Sequence, residues 1–408
     1  MKTSNSVPVL ILGGQENTIS LLRSFGKRNI KVYISVRHNS LAIKSRHCHK
    51  VFTIPDGKTD GEAWQALLLF DERPELRGCV IFPGSDEAVD FLASNRRRLK
   101  KRYRIDCFRS GIHLAMLDKF KTLALAQKAE CPTPAFFKID IEDDVEKIIP
   151  GILFPIMVKP IHSHIFTKYY PSRKYFIAQN ESELRHIVGE LLGKKIEIII
   201  TEMIPGADDQ QSAYFTYITE SGEVLFEYTH QIIRRYPRNS GLACLTISRD
   251  LPETAEMGRR FFNGIGYQGM GHIEFKRDPR DGKLKIIECN PRMSAAQAVV
   301  TKSGLDMAFY IYDYLVNGKV TQTSKYRTGV RRWWVMLDIL SFLELRRIGE
   351  ITFMQWIKTV NGPPLVFPYF SLNDPMPFVC KFYGDISRFF KKKVKSLWLV
   401  RKGFPIQS

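Results

Sequence analysis

The sequence predicts an α/β protein in which an amino-terminal open parallel sheet precedes an α+β region of antiparallel hairpins. Two patterns support this fold class. The first 115 residues alternate short apolar runs with helical patterns, as in a parallel sheet with crossover helices. The later residues contain two hairpin patterns. The content of 44% hydrophobic and 25% charged residues is typical of a folded globular protein.

The amino-terminal region begins with the strand "VPVLILGG", the helix "NTISLLRSFGKR" and the strand "IKVYISV". Gly13 and Gly14 resemble the start of a dinucleotide loop, but "GGQENTIS" lacks the third glycine, so NAD binding is disfavoured. The segment "PGSDEAV" follows the carboxyl end of a predicted strand, where such sheets bind ligands. A plain helix N-cap at Ser85 and Asp86 is the favoured interpretation.

Two lysines occupy unusual places in the next segment. Residues 116–136 are predicted to form a helix that begins at Asp118 and is stopped by the prolines of "CPTPAF". Lys119 lies in its first turn, where the helix dipole disfavours a cation unless an anion is nearby. The strand "FPIMVKP" carries Lys159 at its end. One such lysine often extends to the surface, but two from different elements indicate an anion site.

The first predicted hairpin follows the strand "IEIIITE", which ends at Glu202. It turns at Ser221 and Gly222 and delivers Arg234 and Arg235 at the end of its second strand. A helix is expected from about residue 254 to 265.

The second hairpin turns at "RDG" and ends in "IIECNPRMS", where polar residues alternate with apolar ones. Because side chains alternate along a strand, Glu288, Asn290 and Arg292 should share one face, with Ile287 and Cys289 on the other. An ordinary solvated edge strand is the alternative interpretation.

The turn position places Glu274 directly opposite Glu288. Opposed carboxylates destabilise a sheet unless a divalent cation lies between them. We therefore predict a magnesium site formed by Glu274, Glu288 and Asn290. Arg292 suits a phosphate or carboxylate of the substrate.

These motifs resemble the ATP-grasp superfamily over nearly the whole chain, and in particular its carboxylate-amine ligases and the ATP-grasp domains of carbamoyl-phosphate synthase large chains. The resemblance implies a pre-ATP-grasp domain at 1–115 and a two-lobed ATP-grasp domain at 116–325. The lobes would divide near residue 205, and 326–408 would form a basic, aromatic-rich extension. It also implies ATP and Mg²⁺, or Mn²⁺, as cofactors.

The resemblance also assigns roles to residues around ATP. Lys119 and Lys159 would contact the phosphates, with Lys159 also placed among the catalytic residues. Arg292 would meet the phosphate or acyl phosphate. In the hinge, Glu202 and the backbone of Met203 and Ile204 would bind adenine. The ribose would lie at Asp209.

One segment departs from the common family pattern. Many members carry a glycine-rich phosphate loop after the second lysine, and "KPIHSHIFTKYYPSRKY" has none. Ser163, His164 and Lys168 are candidates to replace its contacts, although surface positions are equally ordinary for them. The "KP..SH" form and "RRYPRNSG" resemble a subgroup similar to D-aspartate ligase. That similarity implies a role for Arg234 or Arg235 at the terminal phosphate, and Arg234 is the predicted catalytic residue.

Composition limits the partners and the compartment. No apolar run is long enough for a membrane span and the amino terminus lacks a signal-peptide pattern, so a cytoplasmic location is expected. Seven scattered cysteines without a CxxC pair argue against disulfides and structural zinc. The net charge of +19 favours an anionic partner.

The carboxyl-terminal residues 331–408 concentrate this charge, with 13 Lys or Arg against 5 Asp or Glu. Aromatic residues interleaved with cations are typical of segments at an anionic membrane surface, such as the inner membrane face. The alternatives are packing of "GVRRWWVMLDILSFLEL" on the ATP lobes, which we favour, and a solvated face at "FFKKKVK". No motif that reads nucleic acid is present.

The leading hypothesis is an ATP- and Mg²⁺-dependent ligase that activates a carboxylate as an acyl phosphate for attack by an amine, with small molecules or peptides as substrates. One alternative is carbamoyl-phosphate-type chemistry with another nucleophile. A second is a basic membrane- or nucleic-acid-binding protein with a vestigial ATP site. A homodimer is one option for the oligomeric state. The motifs all face ATP and leave the two substrates open.

Overall fold

The fold is known from a computed structural model of the chain. It describes residues 6–71, 73–106, 109–162, 166, 169–171, 173–362 and 364–387.

The first sheet is parallel and five-stranded, in the order β3-β2-β1-β4-β5. Its strands are β1 Val9–Leu12, β2 Val32–Val36, β3 Lys50–Thr53, β4 Val80–Pro83 and β5 Arg104–Ile105. The accompanying helices are α1 Glu16–Gly26, α2 Asp60–Gln65, α3 Asp86–Ser94, α4 Arg96–Leu99 and α5 Ser110–Met116. The parallel sheet predicted from the sequence is confirmed, although β3 and β5 were not predicted because they are short and, for β3, half exposed.

The second sheet is antiparallel and four-stranded, in the order β6-β9-β7-β8. Its strands are β6 Phe136–Ile139, β7 Ile156–Pro160, β8 Phe176–Ala178 and β9 Ile198–Glu202. Its helices are α6 Lys119–Lys128, α7 Asp144–Ile148 and α8 Glu181–Gly193. Helix α6 is shorter than predicted, because Glu130 takes a left-handed φ of 54° before the prolines are reached.

The third sheet has seven strands in the order β14-β13-β10-β11-β12-β15-β16, all antiparallel except the β15–β16 pair. Its strands are β10 Gln211–Ile218, β11 Val224–Tyr236, β12 Leu242–Ser248, β13 Gly269–Arg277, β14 Leu284–Asn290, β15 Arg331–Trp333 and β16 Leu365–Val366. The helices that follow its strands are α9 Pro252–Gly264, α10 Gln297–Lys302, α11 Met307–Asn317, α12 Val335–Arg347 and α13 Phe353–Val360. Short helical turns lie at Leu41–Lys44, Ala66–Phe70, Pro74–Leu76, Ile149–Gly151 and Asp208–Gln210, and residues 376–387 are helical.

One apolar core joins the first sheet to the third. It contains Val9 of β1, Phe25 of α1, Phe215 of β10, Tyr228 of β11 and Met307 of α11, all at most 1% exposed. Buried apolar area of this kind stabilises a fixed orientation of the two sheets. The carboxyl ends of β1 and β4 are therefore held next to the end of β14.

The close approach of two turns contributes to this arrangement. Gly14 has a φ of 84°, and a Cβ atom there would lie 2.7 Å from the Gly84 carbonyl oxygen. Only glycine accepts both conditions. The turns after β1 and β4 therefore pack directly on each other.

The carboxyl-terminal residues pack on the third sheet. Strand β15 extends that sheet beside β12, and Asp338 of α12 is fully buried. The predicted packing of "GVRRWWVMLDILSFLEL" as a core helix is confirmed for one face of α12, whereas Met336 and Leu343 on its other face are exposed. The segment "FFKKKVK" lies outside the described residues. The predicted domain boundaries stay predictions. Within the described residues, each helix is too short or too polar to cross a bilayer.

Candidate functional site

The two hairpin acids face each other as predicted. Glu274 of β13 pairs with Glu288 of β14, and His272 pairs with Asn290. The register shifts immediately after Glu274, so that Phe275 opposes Ile286.

This register shift is a β-bulge that corrects one prediction. Ile287 has no partner in the register and lines the cleft next to Glu288, so the assignment of Ile287 to the opposite face is wrong. A bulge re-aims the side chains of one strand, and hydrophobic alternation alone does not reveal it. The cleft thereby gains an apolar side chain beside the acids.

The two carboxylates are compensated differently. Glu274 Oε2 accepts a hydrogen bond of 3.1 Å from Arg235 Nη2. Glu288 is exposed in the cleft, and no described residue forms a hydrogen bond or ion pair with its carboxylate. Opposed like charges repel, and Glu288 is therefore open to an external cation.

Lys119 and Lys159 come from different elements and line the same cleft as Glu288. Asp118 caps α6 by accepting a hydrogen bond of 3.0 Å from the Lys121 amide, which places Lys119 at the helix start as predicted. Burial lowers the pKa of Lys119, while Glu288 and Asp118 raise it.

Lys159 lies near the end of β7, and its pKa is also lowered. Burial lowers its pKa to about 8, with Glu288 raising the pKa and Lys119 lowering it. Two desolvated ammonium groups beside each other attract an anion. The lysines and Glu288 therefore favour a ligand that carries both anionic groups and a divalent cation.

The cleft consists of two adjoining cavities of about 1010 Å³ and 350 Å³. They share the residues between them, which are Asp86, Lys119, Leu123, Lys159, Thr201, Ile287 and Glu288. This volume is large enough for a nucleotide and a second small molecule.

Arg292 lies where β14 meets the first sheet and lines the smaller cavity. Its Nε donates a hydrogen bond of 2.6 Å to Asp86 Oδ1 at the start of α3. Asn17 strengthens this junction by donating to the Gly84 and Met293 carbonyl oxygens at 2.8 and 3.0 Å. Ser85 is the N-cap of α3, as predicted, and Asp86 has a further role as the partner of Arg292.

The hinge residues after β9 line the smaller cavity. The Glu202 carboxylate is already bound within the protein, because it pairs with Arg280 and accepts a hydrogen bond of 3.1 Å from the Ala135 amide. The Ile204 carbonyl oxygen accepts a hydrogen bond of 2.9 Å from Lys276 Nζ. Met203 follows the strand directly and also lines the cavity.

Asp209 and its neighbour occupy different environments. Asp209 is exposed and is absent from the described residues that line either cavity, whereas Gln211 lines the smaller one. Asp208 is buried and accepts hydrogen bonds of 2.9 and 3.0 Å from the amides of Arg235 and Asn239. The ribose role of Asp209 stays a prediction.

The consecutive arginines of β11 also separate. Arg234 is 3% exposed and forms two hydrogen bonds, of 2.6 and 2.9 Å, with the Asp338 carboxylate. Arg235 lines the smaller cavity and pairs with Glu274. The structure thus brings Arg235 to the acids, and commits Arg234 to the interior of the protein.

The metal-binding capacity of the site depends on a ligand. The described residues contain no group of three or more His, Cys, Asp or Glu side chains placed to hold a metal ion. Glu288 lines both cavities, Glu274 lines the smaller one and Asn290 the larger one, so two carboxylates and one amide lie along the cleft. This donor set fits Mg²⁺, which keeps several ligand positions for substrate phosphates and water.

Sequence reasoning missed several residues that line the cleft. They are Tyr175, Gln211, Asn239, Ser240, Lys276 and Ile287. Asp86 had a signal, because its segment follows the carboxyl end of a parallel strand. Ser163, His164 and Lys168, the candidates to replace the glycine-rich loop, lie outside the described residues.

Comparisons with known proteins bear on the family and on the fold. The family model for the carbamoyl-phosphate synthase L chain, ATP binding domain, matches residues 251–314. The chain is 23% identical over 361 residues to D-aspartate ligase of Enterococcus faecium (strain Aus0004), covering 84% of this chain and 85% of that protein.

Solved structures establish the fold. N5-carboxyaminoimidazole ribonucleotide synthetase in complex with ADP superposes with a TM-score of 0.61 at 13% identity, over 79% of this chain and 81% of that one. The biotin carboxylase domain of the Hydrogenobacter thermophilus 2-oxoglutarate carboxylase, solved with MgADP, ADP and bicarbonate, gives 0.61 at 18% identity, over 79% and 73%. The chain therefore has the ATP-grasp fold, as its sequence motifs predicted.

Proposed function

We propose that the protein is an ATP- and Mg²⁺-dependent ligase that activates a carboxylate as an acyl phosphate and joins it to an amine, with release of ADP and phosphate. The observation that carries the proposal is the pairing of Glu274 with Glu288 beside Lys119 and Lys159 in one cleft. The similarity to D-aspartate ligase over most of both chains supports the same reaction class.

The acids and lysines would divide the charge of the nucleotide. Glu274, Glu288 and Asn290 would hold Mg²⁺, or Mn²⁺ in its place. The metal would supply charge neutralisation for the phosphates. Lys119 and Lys159 would bind phosphate oxygens, which repays the desolvation of their ammonium groups.

The arginines would act on the groups that react. Arg292 is oriented by Asp86 and would bind the carboxylate or the acyl phosphate. Arg235 lies against Glu274 and would bind the terminal phosphate. The role predicted for Arg234 therefore passes to its neighbour in this proposal.

The smaller cavity would hold the nucleoside. The Met203 and Ile204 backbone lines it next to Ile287, which offers an apolar surface for adenine. Glu202 would act by shaping the hinge, since its carboxylate is already bound to Arg280. We assign the ribose to the neighbourhood of Gln211, with Asp209 as the alternative.

The reaction requires positioning and charge compensation rather than a protein nucleophile. Cys289 lines the larger cavity, but burial raises its pKa, so it stays a neutral thiol. A carboxylate held by Arg292 would attack the terminal phosphorus of ATP and displace ADP. An amine would then attack the acyl carbon, displace phosphate and release one proton to solvent.

The substrates would be small molecules or peptides, and the larger cavity is the place for them. We further propose that the enzyme works in the cytoplasm at the inner membrane face, on a surface described in the next subsection. Nucleic acid is not a proposed partner. A homodimer stays an open option.

The proposal is tested by ADP release. Amino acids and short peptides are screened pairwise as acid and amine, and we expect at least one pair to stimulate ADP release. Glu288→Gln should lower that rate by about 10²- to 10³-fold, the usual effect of losing one electrostatic group in a reaction centre.

The matched control is Glu256→Gln, which removes an exposed carboxylate on α9 that is not among the described residues lining either cavity. It should leave the rate unchanged. Equal rates for Glu288→Gln and wild type would contradict the proposal. If no pair releases ADP while vesicles or DNA are bound, the vestigial-site alternative is favoured instead. ADP release with bicarbonate and ammonia alone would indicate carbamoyl-phosphate-type chemistry.

A further inference from the structure

Helix α12 presents an apolar stripe to the solvent. Met336, Leu340 and Leu343 are 64%, 38% and 55% exposed. They stand at positions i, i+4 and i+7 of the helix, so they share one face. A surface helix ordinarily places polar residues on that face.

The opposite face of α12 is already used by the fold. Asp338 and Ser341 are fully buried and Phe342 is 7% exposed. Asp338 also accepts hydrogen bonds of 2.9 Å from the indoles of Trp333 and Trp356. The helix is therefore fixed with its apolar stripe outward and cannot rotate to bury it.

Further exposed apolar side chains follow α12 in the chain. Ile348 follows α12 at 51% exposure, and Phe353 and Met354 open α13 at 51% and 64%. Phe342 packs on α13 through a stacked contact with Trp356, with ring centroids 4.9 Å apart. We call Met336, Leu340, Leu343, Ile348, Phe353 and Met354 the apolar surface.

Exposed apolar residues are concentrated in this part of the chain. Among the described residues, most of the large apolar side chains that are exposed lie between positions 336 and 383. Scattered single residues of this type are normal on soluble proteins, but a grouped set marks an interaction surface.

Cations border the apolar surface. Arg346 and Arg347 end α12, Lys358 lies in the last turn of α13, and all three are exposed. The sequence that follows the described helix, 388–408, adds seven Lys or Arg and no Asp or Glu. Helices α12 and α13 thus carry both exposed apolar side chains and exposed cations.

We infer that the apolar surface binds an anionic phospholipid bilayer as a peripheral contact. Apolar side chains beside Lys and Arg match the acyl boundary and the anionic headgroups. A second copy of this chain is disfavoured as the occupant, because its net charge of +19 would add to the cations that border the surface. The inference is independent of the proposed ligase chemistry.

The surface is mechanically linked to the cleft. The buried side of α12 holds Arg234 through Asp338, and the next residue, Arg235, lines the cleft. Glu344 of the same helix accepts 3.1 Å from the Arg238 amide. Strand β11 therefore connects α12, which would contact the bilayer, to the cleft.

The test is sedimentation of the full-length protein with vesicles. Vesicles of phosphatidylcholine are compared with vesicles that contain phosphatidylglycerol as well, at low and high salt. We expect binding to the anionic vesicles only, weakened by salt. Met336→Asp with Leu343→Asp should weaken it by at least about tenfold, because charge is placed where apolar side chains insert.

The matched control is Phe70→Asp with Leu153→Asp, which changes two side chains of 65% and 71% exposure by the same charge. It should retain binding to within a few-fold. A second variant, Arg346→Gln with Arg347→Gln, should weaken binding by about fivefold for each cation removed. Circular dichroism and the midpoint of thermal unfolding verify that each variant is folded.

Three results would overturn the inference. The first is equal binding to neutral and anionic vesicles. The second is unchanged binding of the Met336→Asp, Leu343→Asp protein. The third is a dimer in analytical ultracentrifugation that this variant dissociates, which would assign the apolar surface to a second copy.

Discussion

The interior ion pairs and the charges of the cleft differ in how completely the protein neutralises them. Arg234 and Asp338 are both buried and satisfy each other with two hydrogen bonds. Arg332 binds Glu16 in the same way, at 2.7 to 3.0 Å. In the cleft, by contrast, Glu288 has no hydrogen-bonded partner among the described residues.

This difference distinguishes charges that hold the fold from charges that serve a ligand. A buried pair contributes little net stability but is costly to break, since either half alone is an unpaired charge. A charge that the fold leaves uncompensated raises the free energy of the empty site, and a ligand of opposite charge removes that cost. The comparison predicts opposite outcomes for neighbouring residues.

The consecutive arginines give the largest expected effect. Arg234→Gln leaves the buried Asp338 without its cation, so the free energy of unfolding should fall by about 3–5 kcal/mol. Arg235→Gln removes a partly exposed ion pair with Glu274, and it should change the free energy of unfolding by less than about 1 kcal/mol. Urea denaturation of both variants measures the difference.

Activity should show the reverse order. At a temperature where both variants are folded, Arg235→Gln should lower the rate of ADP release by about 10- to 100-fold, because a phosphate-binding cation is lost. Arg234→Gln should keep the wild-type rate. The same loss of rate in both variants would show that the comparison between interior and cleft charges is wrong.

The pH dependence of nucleotide binding gives a smaller effect. The pKa of Lys159 is lowered to about 8, so the ammonium group loses its proton as the pH rises through that value. Between pH 8 and an unfolded lysine pKa of about 10.4, the unfolded chain holds more protons, and this lysine makes the free enzyme more stable as pH rises.

ATP affinity should move in the other direction. At pH 9 only about a tenth of Lys159 is charged, and metal-free ATP should bind about tenfold more weakly than at pH 7. Lys159→Met should remove most of that dependence, whereas Lys159→Arg should retain binding at high pH. Titrations of ATP at several pH values make the measurement. A wild-type affinity that is flat from pH 7 to 9 contradicts the assignment.

Much of the fold could be predicted from the sequence, because it depends on local signals. The turn at Asp281 and Gly282 sets a register in which Phe275 opposes Ile286, and the bulge at Ile287 then brings Glu288 opposite Glu274. The predicted acid pair is confirmed, although the turn alone would place Ile287 opposite Glu274. An aspartate directly before a helical segment favours an N-cap, and Asp118 is the N-cap of α6. The position of Lys119 in the first turn could be predicted for that reason.

The remainder of the site depends on contacts between distant segments. Arg292 and Asp86 form a hydrogen bond although 206 residues separate them in the sequence, and Arg234 and Asp338 do so over 104 residues. No local sequence pattern indicates either pair. The bulge that turns Ile287 into the cleft is likewise invisible in the hydrophobic alternation. The sequence therefore predicts the type of site, but it does not show that Arg235 lines the cleft while Arg234 is buried.

The most direct test of the account is calorimetric titration of ATP into the wild-type protein and Glu288→Gln, each with and without Mg²⁺. We expect Mg²⁺ to strengthen ATP binding to the wild type and to have little effect on the variant. Glu288→Gln should bind metal-free ATP at least as well as the wild type, since one negative charge has gone. An equal gain from Mg²⁺ in both proteins would contradict the assignment of the paired acids to a metal.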